Sequence, residues 1–228
     1  MTLNELAYSV LDKIRPNISD DEDISLDEIK YEIHNQRALF IRNELNKFRT
    51  IDPEIEQTLI TGLEIADRSV CPNVQLKCTI IRSIKDIPNT IELHYNTGLI
   101  DVSPLDIISY PFSFVSYNHA RYAGNGKYSK NDIFAFLYRN RIYLISKSNN
   151  HKTLQSIKVR GIFENPSDLK DFCTPENVSC WNDDMEYPLK RWMANYIQGE
   201  VIKKFINLIK FPVDNSNDSK SNPLPVNK

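Results

Sequence analysis

Glycine is scarce, at six residues in 228, and the glycine-dependent nucleotide signatures G-x-x-x-x-G-K-[ST] and G-x-G-x-x-G are both missing. H-E-x-x-H and G-x-S-x-G are missing too, so no P-loop, dinucleotide site, zincin or hydrolase elbow is indicated. The one close glycine pair, Gly124-Asn-Gly126, reads as a tight turn needing positive φ rather than as a phosphate loop. No run of eighteen apolar residues occurs, and charges interrupt the opening MTLNELAYSVLDKIRP, where a secretory signal would stay apolar. A cytosolic, soluble chain without a membrane partner is expected. Charge of one sign is lacking as well: 28 Lys and Arg against 30 Asp and Glu leave a net charge of −2. That balance offers no global field for nucleic acid, which disfavours DNA binding as the main activity.

Cysteine is sparse. Cys71, Cys78, Cys173 and Cys180 form two pairs of equal C-x6-C separation, but zinc sites use tighter pairs, about two to four residues apart. Disulfides do not suit a reducing compartment. Ordinary thiols outweigh both a zinc site and disulfides, and no metal or cofactor is assigned. His34, His94, His119 and His151 show no ligand spacing. Asp183, Asp184 and Glu186 could be read as a magnesium group. Their place just before Pro188 favours instead an acidic helix start facing the amino-terminal dipole.

What is present is the periodicity of a globular chain with 41% hydrophobic residues, enough for a sizeable core. Thr2 to Glu5 and Ser25 to Glu28 both have the capping-box form. Behind the first, Leu3, Leu6, Ala7, Val10, Leu11 and Ile14 recur at helical spacing, and Pro16 ends the run. The acidic Ser19 to Asp23 lacks the alternation and glycine of a calcium loop and reads as a solvated connector. The second helix is expected over 26–48, with Ile29, Ile33, Phe40, Ile41, Leu45 and Phe48 as its apolar stripe.

From Thr58 the texture turns to short β-branched stretches: Thr58 to Ile65, Lys77 to Arg82, Thr90 to His94 and Leu99 to Val102. Ile133 to Tyr138 and Ile142 to Ile145 flank Arg139-Asn-Arg141 and predict a tight antiparallel hairpin, with Gln155 to Ile162 as a further strand beside it. Pro188 stands where a first helical residue is expected, and Leu189, Trp192, Met193, Tyr196, Ile197, Val201, Phe205, Leu208 and Ile209 predict a helix over 188–210. The fold class that follows is α+β. Terminal helices form one layer, a mostly antiparallel sheet over about 56–165 is inserted between them, and an extended tail closes the chain. Residues 1–212 are expected to act as a single adaptor domain and 213–228 as the tail.

Arg37 and Arg42, in HNQRALFIRNELNKFR, are the strongest local arginine run. They read either as a solvated face or as a subunit contact, where a planar guanidinium would pair with a carboxylate of a neighbouring copy. The tail, DNSNDSKSNPLPVNK, has too little apolar area to order itself. Pro223 and Pro225 lower its ordering cost, and Leu224 and Val226 can enter pockets on a partner.

Four stretches carry a resemblance across nearly the whole chain: LNELAYSVLDKIRPNISDDEDISLDEIKYEIHNQRALFIRNE, IPNTIELHY, YPFSFVSYNHARYAGNGKYSKNDIFAFLYRNRIYLISKS and RGIFENPSDL. Together they resemble a ring protein of the head-to-tail connector of crAss-like phages. The resemblance implies a structural virion protein made in the host cytoplasm, not an enzyme. It implies a homo-oligomeric ring of twelve copies that docks beneath the portal and meets further tail or ring proteins, with genomic DNA passing through the lumen unread. No catalytic residue is implied. The alternative is a nucleic-acid-processing accessory enzyme or binding protein whose site forms only in space.

Overall fold

Thr2 and Glu5 exchange the two hydrogen bonds of a capping box, Thr2 Oγ1 accepting the Glu5 N–H at 3.1 Å and Glu5 Oε2 accepting the Thr2 N–H at 2.9 Å. Helix α1 (Leu3–Ile14) starts there. Ser25 and Glu28 do the same for α2 (Leu26–Asn46). These distances come from a computed structural model of the chain, which describes residues 1–17, 24–47, 52–66, 80–93, 98–106, 109–148, 150–172 and 181–209. The tail with its expected anchors, all four cysteines and His94 lie outside the described residues.

Seven strands follow: β1 (Gln57–Ile65), β2 (Ile81–Ser83), β3 (Leu99–Pro104), β4 (Ser113–Phe114), β5 (Phe134–Tyr138), β6 (Arg141–Ile145) and β7 (Ser156–Gly161), with the one-turn α3 (Tyr117–Ala120) after β4. A last helix, α4 (Arg191–Ile209), returns to the first two. The sheet order is β3-β7-β1-β2-β6-β5-β4, antiparallel throughout except for the β4 and β5 pair. The two edges nearly meet, because the Phe112 N–H donates to the Val102 carbonyl of β3 at 2.8 Å just before β4 begins. The result is an α+β fold whose sheet is almost a closed barrel.

Strand β1 makes this curvature possible. Its residues Gln57 to Gly62 pair with β7, and Leu63 to Ile65 pair with β2. Gly62 sits at the change of partner, where a Cβ would meet Ile84 Cδ1 at 2.8 Å. That methyl is the tip of the half-exposed Ile84 side chain, which would have to turn aside to admit any larger residue at this corner.

The β5–β6 hairpin turns on two residues, with Tyr138 opposite Arg141. Arg139 and Asn140 both have positive φ, 48° and 59°, the backbone of a type I′ turn. Gly124 has the positive φ expected of it, 73°. Gly126 does not, and lies instead against Ser129.

Three apolar clusters result. One is the helical layer, where Leu6, Val10, Ile29, Ile33, Ile41, Ile197 and Val201 pack against one another and reach Ile55, Ile91 and Tyr187 below. The second fills the barrel with Leu59, Val102, Ile142, Leu144, Ile157, Val159 and Phe163. The third lies under α3 with Phe136, Tyr143 and Ile145, so both faces of the hairpin are covered. The predicted packing of the terminal helices into one layer is what forms.

Four details differ from the sequence reading. Helix α4 begins at Arg191 rather than at Pro188, because the Pro188 carbonyl is taken by Arg37 and the Leu189 N–H closes a tight turn on the Tyr187 carbonyl. Thr90 to Leu93 forms no ladder: Thr90 makes a single bridge to Phe163, and Ile91 uses its backbone groups on Ile162 and Gly98. Strand β2 is confined to Ile81–Ser83, with 77–79 outside the described residues. Strand β7 does not lie beside the hairpin, since β1 and β2 stand between them.

Candidate interaction surfaces

Position 37 of α2 falls on the helix's apolar stripe, four residues after Ile33 and four before Ile41. Arg37 is accordingly 0% exposed. Its Nε donates to the Pro188 carbonyl at 3.0 Å and one terminal nitrogen donates to the Phe163 carbonyl at 2.9 Å. The guanidinium carbon lies 5.7 Å from the centre of the Tyr187 ring, a cation–π contact in a desolvated setting. Its other terminal nitrogen has no acceptor among the described residues. Burial lowers the guanidinium below its ordinary value, partly opposed by Tyr187. Both sequence readings of Arg37, solvated face and subunit contact, are therefore corrected: it clamps α2 to the segments that follow β7 and precede α4. Arg42 is exposed on the same helix and remains available at the surface.

His34 completes this network. Its Nδ1 hydrogen-bonds with the Tyr187 hydroxyl at 2.8 Å and its Nε2 with Ser167 Oγ at 3.2 Å. Burial, aided by the nearby Arg37 charge, pulls its pKa down to about 4, so the ring is neutral at pH 7. Burial likewise raises the Tyr187 hydroxyl above its ordinary value. These groups are enclosed and hold elements together. His119 is exposed on α3, His151 is buried, and neither joins His34.

Asp183 is not a helix-start residue, because α4 opens eight residues later. Its carboxylate pairs with Lys30 at 2.9 Å and Lys170 at 3.4 Å and accepts from the Trp181 indole at 3.2 Å. Burial alone would raise the carboxyl, but Lys30 above all, with Lys170 and Trp181, outweighs it and holds the group below its usual range. Asp184 accepts from Asn4. The acidic run thus fastens the loop before α4 to α1 and α2. Among the described residues no three His, Cys, Asp or Glu side chains converge to hold a metal, and no helix is long and apolar enough to cross a membrane.

Exposed aromatic side chains are concentrated in two places, while other exposed apolar residues such as Tyr8, Ile65 and Ile84 are scattered over the surface. On the helical layer, Trp192 is 59% exposed and packs edge-on against Phe40 at 5.8 Å, with Tyr196 tilted against the same ring at 4.9 Å. Leu39 and Leu208 are exposed on the same two helices. The wide stripe predicted for α4 is thereby divided, with Met193, Ile197 and Val201 inward and Trp192, Tyr196 and Leu208 outward. On the excursion between β3 and β5, Tyr110 and Tyr128 are each 90% exposed, and Phe114 and Tyr122 are exposed between them in sequence. Large exposed aromatics of this kind mark association surfaces.

A cleft of about 520 Å³ opens where β1 meets the loop before α4. Leu169, Trp181, Met185 and Leu189 give it apolar walls, and Glu54, Glu56 and Glu186 rim it.

A family model described as phage tail ring protein 2 matches residues 5–223. The chain is 25% identical over 224 residues to Ring protein 2 of Bacteroides phage crAss001, covering 96% of this chain and 97% of that one. With the sheet, the exposed aromatics and all but the first two residues of the helical layer inside the matched span, this chain belongs to the phage tail ring protein 2 family.

Proposed function

We propose that this protein is a non-enzymatic building block of the head-to-tail connector, forming a closed homo-oligomeric ring of twelve copies that joins the portal to the tail. Residues 1–212 serve as one adaptor domain and 213–228 as a tail. The observation that carries this reading is exposed aromatic surface on two different parts of the fold, Trp192 and Tyr196 on α4 and Tyr110 to Tyr128 beyond β3. A ring built from heterologous contacts needs two distinct sticky surfaces per subunit, one to give and one to receive. Family membership over residues 5–223 supports a tail location in the virion. Genomic DNA passes through the lumen without sequence-specific contacts, in keeping with a net charge of −2.

Arg42 is the arginine assigned to a subunit contact, since it is exposed on the helix that also carries Leu39 and Phe40. In the tail, Pro223 and Pro225 hold Leu224 and Val226 as anchors for the portal or a neighbouring copy. Co-sedimentation of the purified chain with the portal protein tests the reading. Comigration in a fixed ratio is expected, and separate sedimentation at all concentrations would reject it.

A further inference from the structure

The cleft between β1 and the loop before α4 has a chemistry that no part of the described fold uses. Its lining is mixed, with Leu169, Trp181, Met185 and Leu189 as apolar surface beside three glutamates. Lys190 bridges Asp52 at 2.7 Å and Glu54 at 2.6 Å, and Arg160 bridges Glu56 at 3.4 Å and Asp101 at 3.6 Å. Each cation thus answers two carboxylates. Glu186 adds a further negative charge and has no ion-pair partner among the described residues. Gln57 also lines the cleft, is 8% exposed, and its Oε1 has no hydrogen-bond donor among the described residues. The cleft therefore asks for a segment that is apolar in the middle, basic at its ends, and equipped with free backbone N–H groups.

The chain carries one such segment. Residues 219–228, SKSNPLPVNK, place Pro223, Leu224, Pro225 and Val226 between Lys220 and Lys228, with no acidic side chain among the ten. Prolines bias such a stretch toward an extended form whose apolar side chains enter pockets at low entropic cost. Direction matters as well as composition. Pro188 and Leu189 line the cleft just before α4 starts, whereas the tail leaves the far end of that 19-residue helix, about 28 Å away. A socket near the start of α4 and a tail rooted at its far end suit a head-to-tail contact that closes into a ring. From Lys210 to Leu224 the chain can extend about 50 Å, enough to cross to an adjacent copy.

We infer that the Glu54, Glu56 and Glu186 cleft is the socket for residues 219–228 of the neighbouring copy, with Leu224 and Val226 against Trp181, Met185 and Leu189, and Lys220 and Lys228 on the acidic rim. This rests on the reading that the chain assembles as a ring.

The test uses the full chain with the photoreactive p-benzoyl-phenylalanine at Met185, or in a second preparation at Thr58 on the opposite wall. Both positions are exposed. Irradiation is expected to give a ladder of covalent oligomers whose tryptic cross-links contain the peptide 221–228. K220E/K228E is expected to lower ladder yield at least fivefold, and adding E186K is expected to restore part of it. The same samples are weighed by mass photometry. Rings that form without tail cross-links from either position would overturn the socket while leaving the ring standing. Cross-links confined to monomers would mean that the tail fills its own cleft, which also overturns it. A chain that never assembles would remove the ring reading and the socket together.

Discussion

The guanidinium of Arg37 lies 5.7 Å from the centre of the Tyr187 ring, with both side chains enclosed and two main-chain carbonyls as the arginine's hydrogen-bond acceptors. A buried cation without a carboxylate is tolerated only where carbonyls and a π face replace water. Its position joins the helical layer to the sheet at the point where the chain leaves β7 and where it approaches α4. Substitution by alanine strands two buried carbonyls and opens a cavity. Arg37→Ala is therefore expected to lower unfolding free energy by about 3 kcal/mol or more, measured by urea titration. A loss below about 1 kcal/mol would mean that the clamp is unimportant.

His34 makes stability depend on pH. Its folded pKa of about 4 lies below the ordinary 6.5, so between those values the unfolded chain binds the proton that the folded chain refuses. Stability is accordingly full above about pH 6.5 and falls as the pH drops toward 4. The loss from this group is on the order of 2 kcal/mol between pH 7 and pH 4.5. His34→Gln, which keeps polar atoms near Tyr187 and Ser167, is expected to flatten that part of the stability curve. An unchanged slope in the variant would assign the acid sensitivity to other groups.

Much of the helical layer was legible in the sequence because its signals are local. Thr2 with Glu5 and Ser25 with Glu28 announce two helix starts within four residues each, and Leu6, Val10, Ile29 and Ile33 follow at helical spacing. The hairpin was legible for the same reason, although Arg139-Asn140 lacks the usual glycine. Arg37 was misread because a charged residue is ordinarily assigned to the surface. The signal against that was its place between Ile33 and Ile41, in the middle of the stripe. Sheet order was not legible, since β1 changes partner from β7 to β2 within one strand, between Gly62 and Leu63, and strand pairing is a long-range choice that local alternation does not report. The acidic cleft is assembled from β1, the turn before it, Leu169 and the loop before α4, and no local pattern reports such a meeting.

Arg42 separates surface from interior on the same helix. Charge reversal by Arg42→Glu is expected to leave protomer stability within about 0.5 kcal/mol of the parent, because the side chain is exposed. Assembly is expected to weaken, read as a shift of the sedimentation boundary toward the monomer. Unaltered assembly would return Arg42 to an ordinary solvated face.

Trp192 tests the helical face. Its edge contact with Phe40 contributes about 1 kcal/mol to the protomer, so Trp192→Ala is expected to fold with a small loss of stability. Its larger effect is expected between copies, as a rise of at least tenfold in the concentration needed for half-assembly. Equal assembly of variant and parent would show that the outward strip on α4 is not a contact.

The turn at Arg139 and Asn140 offers a gain rather than a loss. Both residues hold positive φ, which asparagine followed by glycine adopts more readily. The double change Arg139→Asn, Asn140→Gly is expected to raise stability by about 0.5–1 kcal/mol. A decrease in the thermal midpoint would indicate that Arg139 contributes more through its contact with Tyr138 than its backbone costs.

The central claim is that this chain works by assembling, and mass photometry of the full-length protein, alone and mixed with the portal protein, tests it most directly. A single high-mass species at a fixed multiple of the 26.5 kDa subunit is the predicted result. A chain that stays monomeric at every concentration, with and without the portal, would contradict the account.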